Sequence, residues 1–192
     1  MKTVLCGPPH SGKSCLREGL KQAILPFHRA GIAPYPYFIT ACPDGEGAWY
    51  AEAVRNNPDL ADKLKQEYKA KFTWAFAENK ALDVKNVSLP LTVIDVGGKI
   101  DDKNELIMQY ATHAVILAGE MSKVAEWEVF CQKLNLSIIA IIHSDYEGKC
   151  DRIETETPIL RGSVHYLERG EDVSTRPIVQ ALARVLIDMC GK

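Results

Sequence analysis

Residues Gly7 to Ser14 read G-P-P-H-S-G-K-S and match G-x-x-x-x-G-K-[ST] at every fixed position. A loop of this composition is built to hold phosphate. Gly7 and Gly12 let the backbone curl so that successive N–H groups point into one concavity, an anion nest. The helix that starts here aims its positive end at the same point. Lys13 is expected over the β- and γ-phosphates and the Ser14 hydroxyl on Mg²⁺. Pro8, Pro9, His10 and Ser11 fill the free positions, and Cys15 follows in the first helical turn. His10 can touch a phosphate or simply be a solvated loop residue.

Asp95 ends the apolar run L-T-V-I and is followed by Val96, Gly97 and Gly98. An acid at the tip of a buried strand is the Walker B arrangement, which holds Mg²⁺ directly or through water. D-V-G-G also fits the D-x-x-G of switch-type nucleotidases, in which the Gly98 N–H would contact the γ-phosphate and sense its loss. The competing reading is an ordinary strand-to-loop turn that uses the two glycines.

A third cluster is C-P-D-G-E-G, residues 42–47, with Asp44 and Glu46 in a glycine-rich turn after a short apolar run. In an open parallel sheet ligands bind at the carboxyl ends of the strands. One of these acids could orient an attacking water or accept a proton from a substrate hydroxyl, and the other could help hold the metal. An equally good reading is a turn in which Asp44 caps its own backbone. Weaker candidates are His143-Ser144-Asp145, which stands where N-K-x-D would read guanine and so tilts the expected base toward adenine, and Arg152, Arg161 and Arg169. Each arginine could serve as a lid or finger arginine or be a surface residue.

Strands must present these loops on one edge. Apolar runs at 3–6, 37–42, 91–94, 114–118, 138–142 and 164–167 read as strands. The run 138–142, I-I-A-I-I, is apolar on both faces, as a central parallel strand must be. Helices are expected at 15–25, ending before Pro26; at 51–80, broken near 56–58; at 123–134; and at 175–190, with Pro177 in the first turn. Leu60, Leu64, Tyr68, Phe72 and Phe76 recur at i, i+4, with Trp74 added, a stripe best read as core packing. Residues 145–162 carry no clear period and read as a long loop, and such loops are often functional. Strand and helix alternate, which predicts an α/β fold: a P-loop NTPase three-layer sandwich around a mostly parallel central sheet, as a single domain over residues 1–192.

The chain has 192 residues, 46% of them hydrophobic and 25% charged, with a net charge of −2. No strong basic field is present, which argues against bulk nucleic-acid binding. No apolar run reaches the roughly 20 residues of a membrane span, and a phosphate loop at Gly7 leaves no room for a signal peptide. A cytoplasmic protein is expected. Its 6 cysteines contain no C-x-x-C pair, so a zinc cage has little support.

With G-P-P-H-S-G-K-S, A-C-P-D-G-E-G-A-W (41–49), D-V-G-G-K-I (95–100), T-H-A-V-I-L (112–117) and L-E-R-G (167–170) in this order, nearly the whole chain resembles one group. It is similar to the P-loop ATPase-like domain fused to a small ring nuclease among type III CRISPR accessory proteins. The chain departs from the fused form by opening on the P-loop strand, without a separate nuclease segment, so direct nuclease activity is not expected. The resemblance implies a role in antiviral defence beside cyclic-oligonucleotide signalling, with a ring-nuclease domain or a cyclic oligonucleotide as partner.

The leading expectation is Mg²⁺-dependent binding and hydrolysis of a nucleoside triphosphate, ATP by preference. Lys13, Asp44, Glu46 and Asp95 are the candidate catalytic residues, and Ser14 and Asp95 the metal ligands. Gly7 to Cys15 together with Gly98 would hold the nucleotide. Two alternatives stay open. One is a small-molecule or nucleotide kinase with Asp44 as base, disfavoured because a helix rather than a lid follows the fourth strand. The other is a nucleotide-binding module with negligible turnover.

Overall fold

The computed structural model describes residues 1–43 and 72–191. In chain order the described elements are β1 (Lys2–Cys6), α1 (Lys13–Arg29), β2 (Pro36–Ala41), α2 (Trp74–Asn86), β3 (Leu91–Val96), α3 (Asp102–Met108), β4 (His113–Ala118), a 3₁₀ turn (Met121–Lys123), α4 (Val124–Lys133), β5 (Ser137–Asp145), β6 (Arg152–Thr155), β7 (Leu160–His165) and α5 (Pro177–Cys190). The strands form one sheet in the order β2-β3-β1-β4-β5-β7-β6. Every neighbouring pair is parallel except β6–β7, which is antiparallel.

Side chains alternate across a strand, so each central strand feeds two cores. On β1, Leu5 packs into one and Val4 and Cys6 into the other. The first core is closed by α1 (Leu16, Leu20, Ala23, Ile24) and α5 (Ile178, Val179, Leu182, Leu186). The second is closed by α2 (Ala77, Ala81, Val84), α3 (Ile107, Met108) and α4 (Trp127, Phe130, Cys131). Helix, sheet and helix make three layers. Each fully buried Leu or Ile contributes about 1.5–3 kcal/mol from removal of its surface from water, and this holds the loops at the strand ends to a rigid frame.

Several expectations need correction. α1 does not stop before Pro26 but carries it inside its last turns. The helix ends instead at Arg29, and Gly31 just beyond it takes φ 71°. There the Ile32 N–H reaches the Phe27 carbonyl at 2.9 Å and the Gly31 N–H reaches His28 at 3.0 Å. That pair of bonds is a Schellman stop. Proline forfeits one helical bond, and Phe27 still packs on the first core. The stretch 145–162 is not all loop, because it contains β6, whose four residues are all exposed. Without a buried face it has no alternation to read. The last strand lies at Leu160–His165 rather than 164–167. α3, started by the Asp101 carboxylate accepting the Asn104 N–H at 2.9 Å, had no counterpart in the sequence reading.

The expected helix 51–80 is described only from Trp74, and it continues to Asn86. Leu60, Leu64 and Tyr68 lie outside the described residues. Phe72 and Phe76 do meet, edge to face at 5.9 Å. Trp74 is 52% exposed and does not join the core, with the Lys103 ammonium 6.0 Å from its ring. No helix among the described residues is long and apolar enough to cross a membrane.

Candidate nucleotide site

The phosphate loop leaves β1 at Gly7, where φ is 134°. The loop here runs against β4: a Cβ on Gly7 would fall 1.9 Å from the Leu117 carbonyl oxygen. Only glycine permits this approach. His10 and Gly12 follow in the left-handed region, with φ 61° and 79°. The Ser11 hydroxyl donates to the Pro8 carbonyl at 2.8 Å and ties the loop to itself. The Lys13 ammonium reaches back into the concavity. It donates to the carbonyls of Gly7 (2.9 Å) and Pro8 (2.8 Å) and lies 3.4 Å from Ser11 Oγ. Lys13 is buried. Burying an ammonium is costly unless hydrogen-bonded groups or anions receive it, and an incoming phosphate would present stronger acceptors than these carbonyls.

Strand register decides what faces this loop. Leu5 of β1 and Thr40 of β2 both pair with Asp95 of β3. Asp95 therefore sits at the sheet's carboxyl edge between the P-loop strand and β2, almost fully buried. Ser14 Oγ donates to Asp95 Oδ2 at 3.0 Å. Three residues along α1, and so on the same helix face, Arg17 donates to Thr40 Oγ1 at 2.5 Å and lies 3.7 Å from Asp95 Oδ2. A hydroxyl and a carboxylate side by side are the hard oxygen donors that Mg²⁺ prefers, and that ion characteristically completes its shell with substrate phosphates and water. The residues present fit a Mg²⁺-nucleotide. Arg17 and Thr40 escaped the sequence reading. Their only signal is the i+3 spacing of Arg17 from Ser14, and the partner of Thr40 depends on strand register.

The D-V-G-G-K loop is held against the phosphate loop from the other side. A Cβ on Gly98 would lie 2.5 Å from the Pro9 nitrogen and 2.6 Å from its Cα, so backbone meets backbone there. Behind the loop stands Asn104, fully buried. Its Nδ2 donates to the carbonyls of Gly97 (3.2 Å) and Lys99 (2.7 Å), and its Oδ1 accepts the Gly97 N–H at 3.3 Å. Asn104 is a third residue that the sequence did not reveal.

A third wall comes from the segment after β7. Leu167, 7% exposed, packs on Gly12: a Cβ there would lie 2.7 Å from Leu167 Cδ1. The next residues, Glu168 and Arg169, lie close enough to α1 to act on Cys15. Burial pushes the Cys15 thiol up, while the Arg169 charge opposes and the Glu168 charge adds to that shift. Of the three arginines singled out, Arg169 thus lies by the phosphate loop. Arg161 is exposed on β7. Arg152 lines a cleft of about 320 Å³ with His143, Glu154 and Ser163. His143 directs Nε2 to the Gly119 carbonyl at 3.1 Å. Asp44 and Glu46 lie outside the described residues; β2 leads toward them by ending at Ala41 on the same sheet edge as the phosphate loop.

A phosphate loop running from a central parallel strand into a helix, with an acid at the tip of the adjacent strand, defines the fold class of the P-loop NTPases. No protein-family model matches the chain, and no curated protein matches it in sequence. Among solved structures it is similar to the septum site-determining protein MinD complexed with Mg-ADP from Pyrococcus horikoshii OT3. The TM-score is 0.50 at 12% identity, over 76% of this chain and 71% of that one. That likeness extends to the fold.

Proposed function

We propose that this chain binds a Mg²⁺-nucleoside triphosphate, ATP by preference, and hydrolyses it. The observation that carries the reading is the Lys13 ammonium drawn into the phosphate loop, followed by Ser14, whose Oγ lies 3.0 Å from Asp95 Oδ2. The similar solved protein was captured with Mg-ADP, which supports the same ligand class for this fold.

In this reading Lys13 exchanges its bonds to the Gly7 and Pro8 carbonyls for phosphate oxygens. The loop amides complete the cradle. Ser14 and Asp95 hold the metal, whose charge offsets the negative charge of the phosphates. Arg17 keeps the Asp95 carboxylate oriented while it bonds to Thr40. Gly98, pressed on Pro9, brings its backbone to the γ-phosphate end of the loop. Asp44 or Glu46 orients the attacking water. The resemblance of the ordered motifs to a CRISPR-associated P-loop domain supports a regulatory setting beside cyclic-oligonucleotide signalling, in which such a ligand or a ring-nuclease domain is the partner.

Calorimetric titration with Mg-ATP, followed by phosphate-release assays with and without candidate phosphoryl acceptors, tests the reading. Wild-type protein should bind Mg-ATP and release phosphate without an acceptor. Lys13→Ala should lose most of the binding, because it removes the side-chain cation placed in the loop. Wild-type affinity in Lys13→Ala would refute the phosphate-site assignment.

A further inference from the structure

Two exposed tyrosines stand on the sheet edge from which the phosphate loop leaves β1. Tyr146, just after β5, is 53% exposed, and Tyr166, just after β7, is 44% exposed. Large aromatic side chains left this open carry free π-faces. Their ring centroids are 5.1 Å apart with planes inclined at 37°. The Tyr146 hydroxyl donates to Glu168 Oε2 at 2.5 Å. This bond pushes the Tyr146 phenol up to about 12.

The pair is built rather than incidental. Tyr166 has φ 39°, in the left-handed region that a bulky residue avoids. Its N–H is held by the Asp145 carbonyl at 3.1 Å, and its carbonyl accepts from Arg176 at 3.3 Å. The preceding carbonyl, of His165, accepts from the same guanidinium. The His165 N–H is held in turn by Asp151 at 3.1 Å. Strained residues persist where surrounding bonds over-determine them, and they cluster at ligand sites.

The platform is continuous with the phosphate site. Tyr166 and Glu168 flank Leu167, the residue packed on Gly12. Tyr146 follows β5 and Tyr166 follows β7, and both strands end on the sheet edge from which the phosphate loop leaves β1. A ligand anchored by its phosphates at Gly12–Ser14 has its other end free to reach this edge. What the edge presents is flat aromatic surface, with the Glu168 carboxylate beside it as an acceptor for an N–H group.

Resting on the phosphate-site reading above, we infer that Tyr146 and Tyr166 form the platform on which the base of the bound nucleotide, a purine, stacks. Base–aromatic stacking is lost on truncation at a cost of about 5- to 150-fold in Kd. Titrations of the full chain with Mg-ATP, Mg-UTP and Mg-tripolyphosphate test this directly. Wild-type protein should bind Mg-ATP about 5- to 150-fold more tightly than Mg-tripolyphosphate, with Mg-UTP between them because a single ring stacks less. Tyr146→Ala, in an exposed position, and Tyr166→Asn, which tolerates the left-handed backbone, should weaken Mg-ATP toward the tripolyphosphate value. Both should leave tripolyphosphate binding unchanged, and Tyr146→Phe should retain most of the ATP affinity.

Unchanged ATP affinity in both variants would overturn the platform, as would equal affinity of the wild type for ATP and UTP. A loss of tripolyphosphate binding equal to the loss of ATP binding would overturn it too, because it would mean collapse of the loop. If wild-type protein binds tripolyphosphate as tightly as ATP, the platform fails while the phosphate site stands. If it binds neither, the phosphate reading itself fails and the platform with it.

Discussion

Replacing Asn104 with alanine should loosen the D-V-G-G-K loop and destabilise the protein by about 2–4 kcal/mol. The side chain is fully buried and makes three hydrogen bonds, all to backbone of the loop: Gly97 O at 3.2 Å, Lys99 O at 2.7 Å and Gly97 N–H at 3.3 Å. Each such bond is worth about 0.5–1.5 kcal/mol net, and a buried group left without a partner costs about 1–3 kcal/mol. Water can reach part of the relaxed loop, which keeps the total below the sum of those penalties. The helix start is not at issue, because Asp101 caps α3 through the Asn104 backbone N–H, which alanine retains. For a chain of this size, 2–4 kcal/mol corresponds to about 5–15 °C in Tm. Asn104→Asp should be no better, since it keeps one acceptor but turns a carboxylate toward the Gly97 and Lys99 carbonyls. Urea unfolding gives the free energy, and phosphate release on the same preparations should fall as Gly98 loses its seat against Pro9. A loss below about 0.5 kcal/mol would refute the network, since even one net hydrogen bond is worth that much.

Asp95→Asn should spare nucleotide binding more than turnover, because the amide keeps the shape beside Ser14 but not the charge that holds a hard cation. Wild-type phosphate release from this variant at low Mg²⁺ would contradict the assignment. Asp44→Asn and Glu46→Gln should leave ATP affinity near normal while at least one slows turnover by about 10²–10⁴-fold; normal steady-state rates in both would return the turn to a structural role. The folded-state Cys15 thiol is raised above its ordinary value of 9.0, chiefly by burial. The folded protein therefore holds this proton more tightly than the unfolded chain does. That contribution to stability is complete below about pH 9 and is lost as pH rises through the folded pKa. Denaturant midpoints measured from pH 8 upward should fall, and Cys15→Ser should reduce the slope. An unchanged slope would rule Cys15 out as its source.

Much of the frame was legible in the sequence because it is written locally. An apolar run before G-P-P-H-S-G-K-S and a helical pattern after it specify strand, loop and helix without reference to distant residues. The same holds for Asp95 at the tip of L-T-V-I-D. The parallel α/β fold follows from alternation of period-2 and period-3.6 segments, each with a face to bury. The misreadings fall where the local signal is weak or conflicts with another. β6 is exposed along its whole length, so no alternation marks it. Pro26 reads as a stop, yet the bonds at Gly31 and the packing of half-buried Phe27 on the first core carry the helix past it. Trp74 reads as core and lies at the surface.

Tertiary structure alone decided which residues meet. Register places Thr40 and Leu5 on either side of Asp95, and thereby brings Arg17 within reach of both the acid and the threonine. Asn104 reaches back to Gly97 and Lys99 only because α3 turns under the loop that precedes it. Leu167 lies on Gly12, and Tyr146 beside Tyr166, only because β5 and β7 are neighbours with β6 pushed to the edge. Residue type and short-range spacing set what chemistry a segment can do, because backbone geometry over a few residues follows from local sterics. Which distant segments share a site depends on strand order and register, and these are settled by packing of the whole sheet.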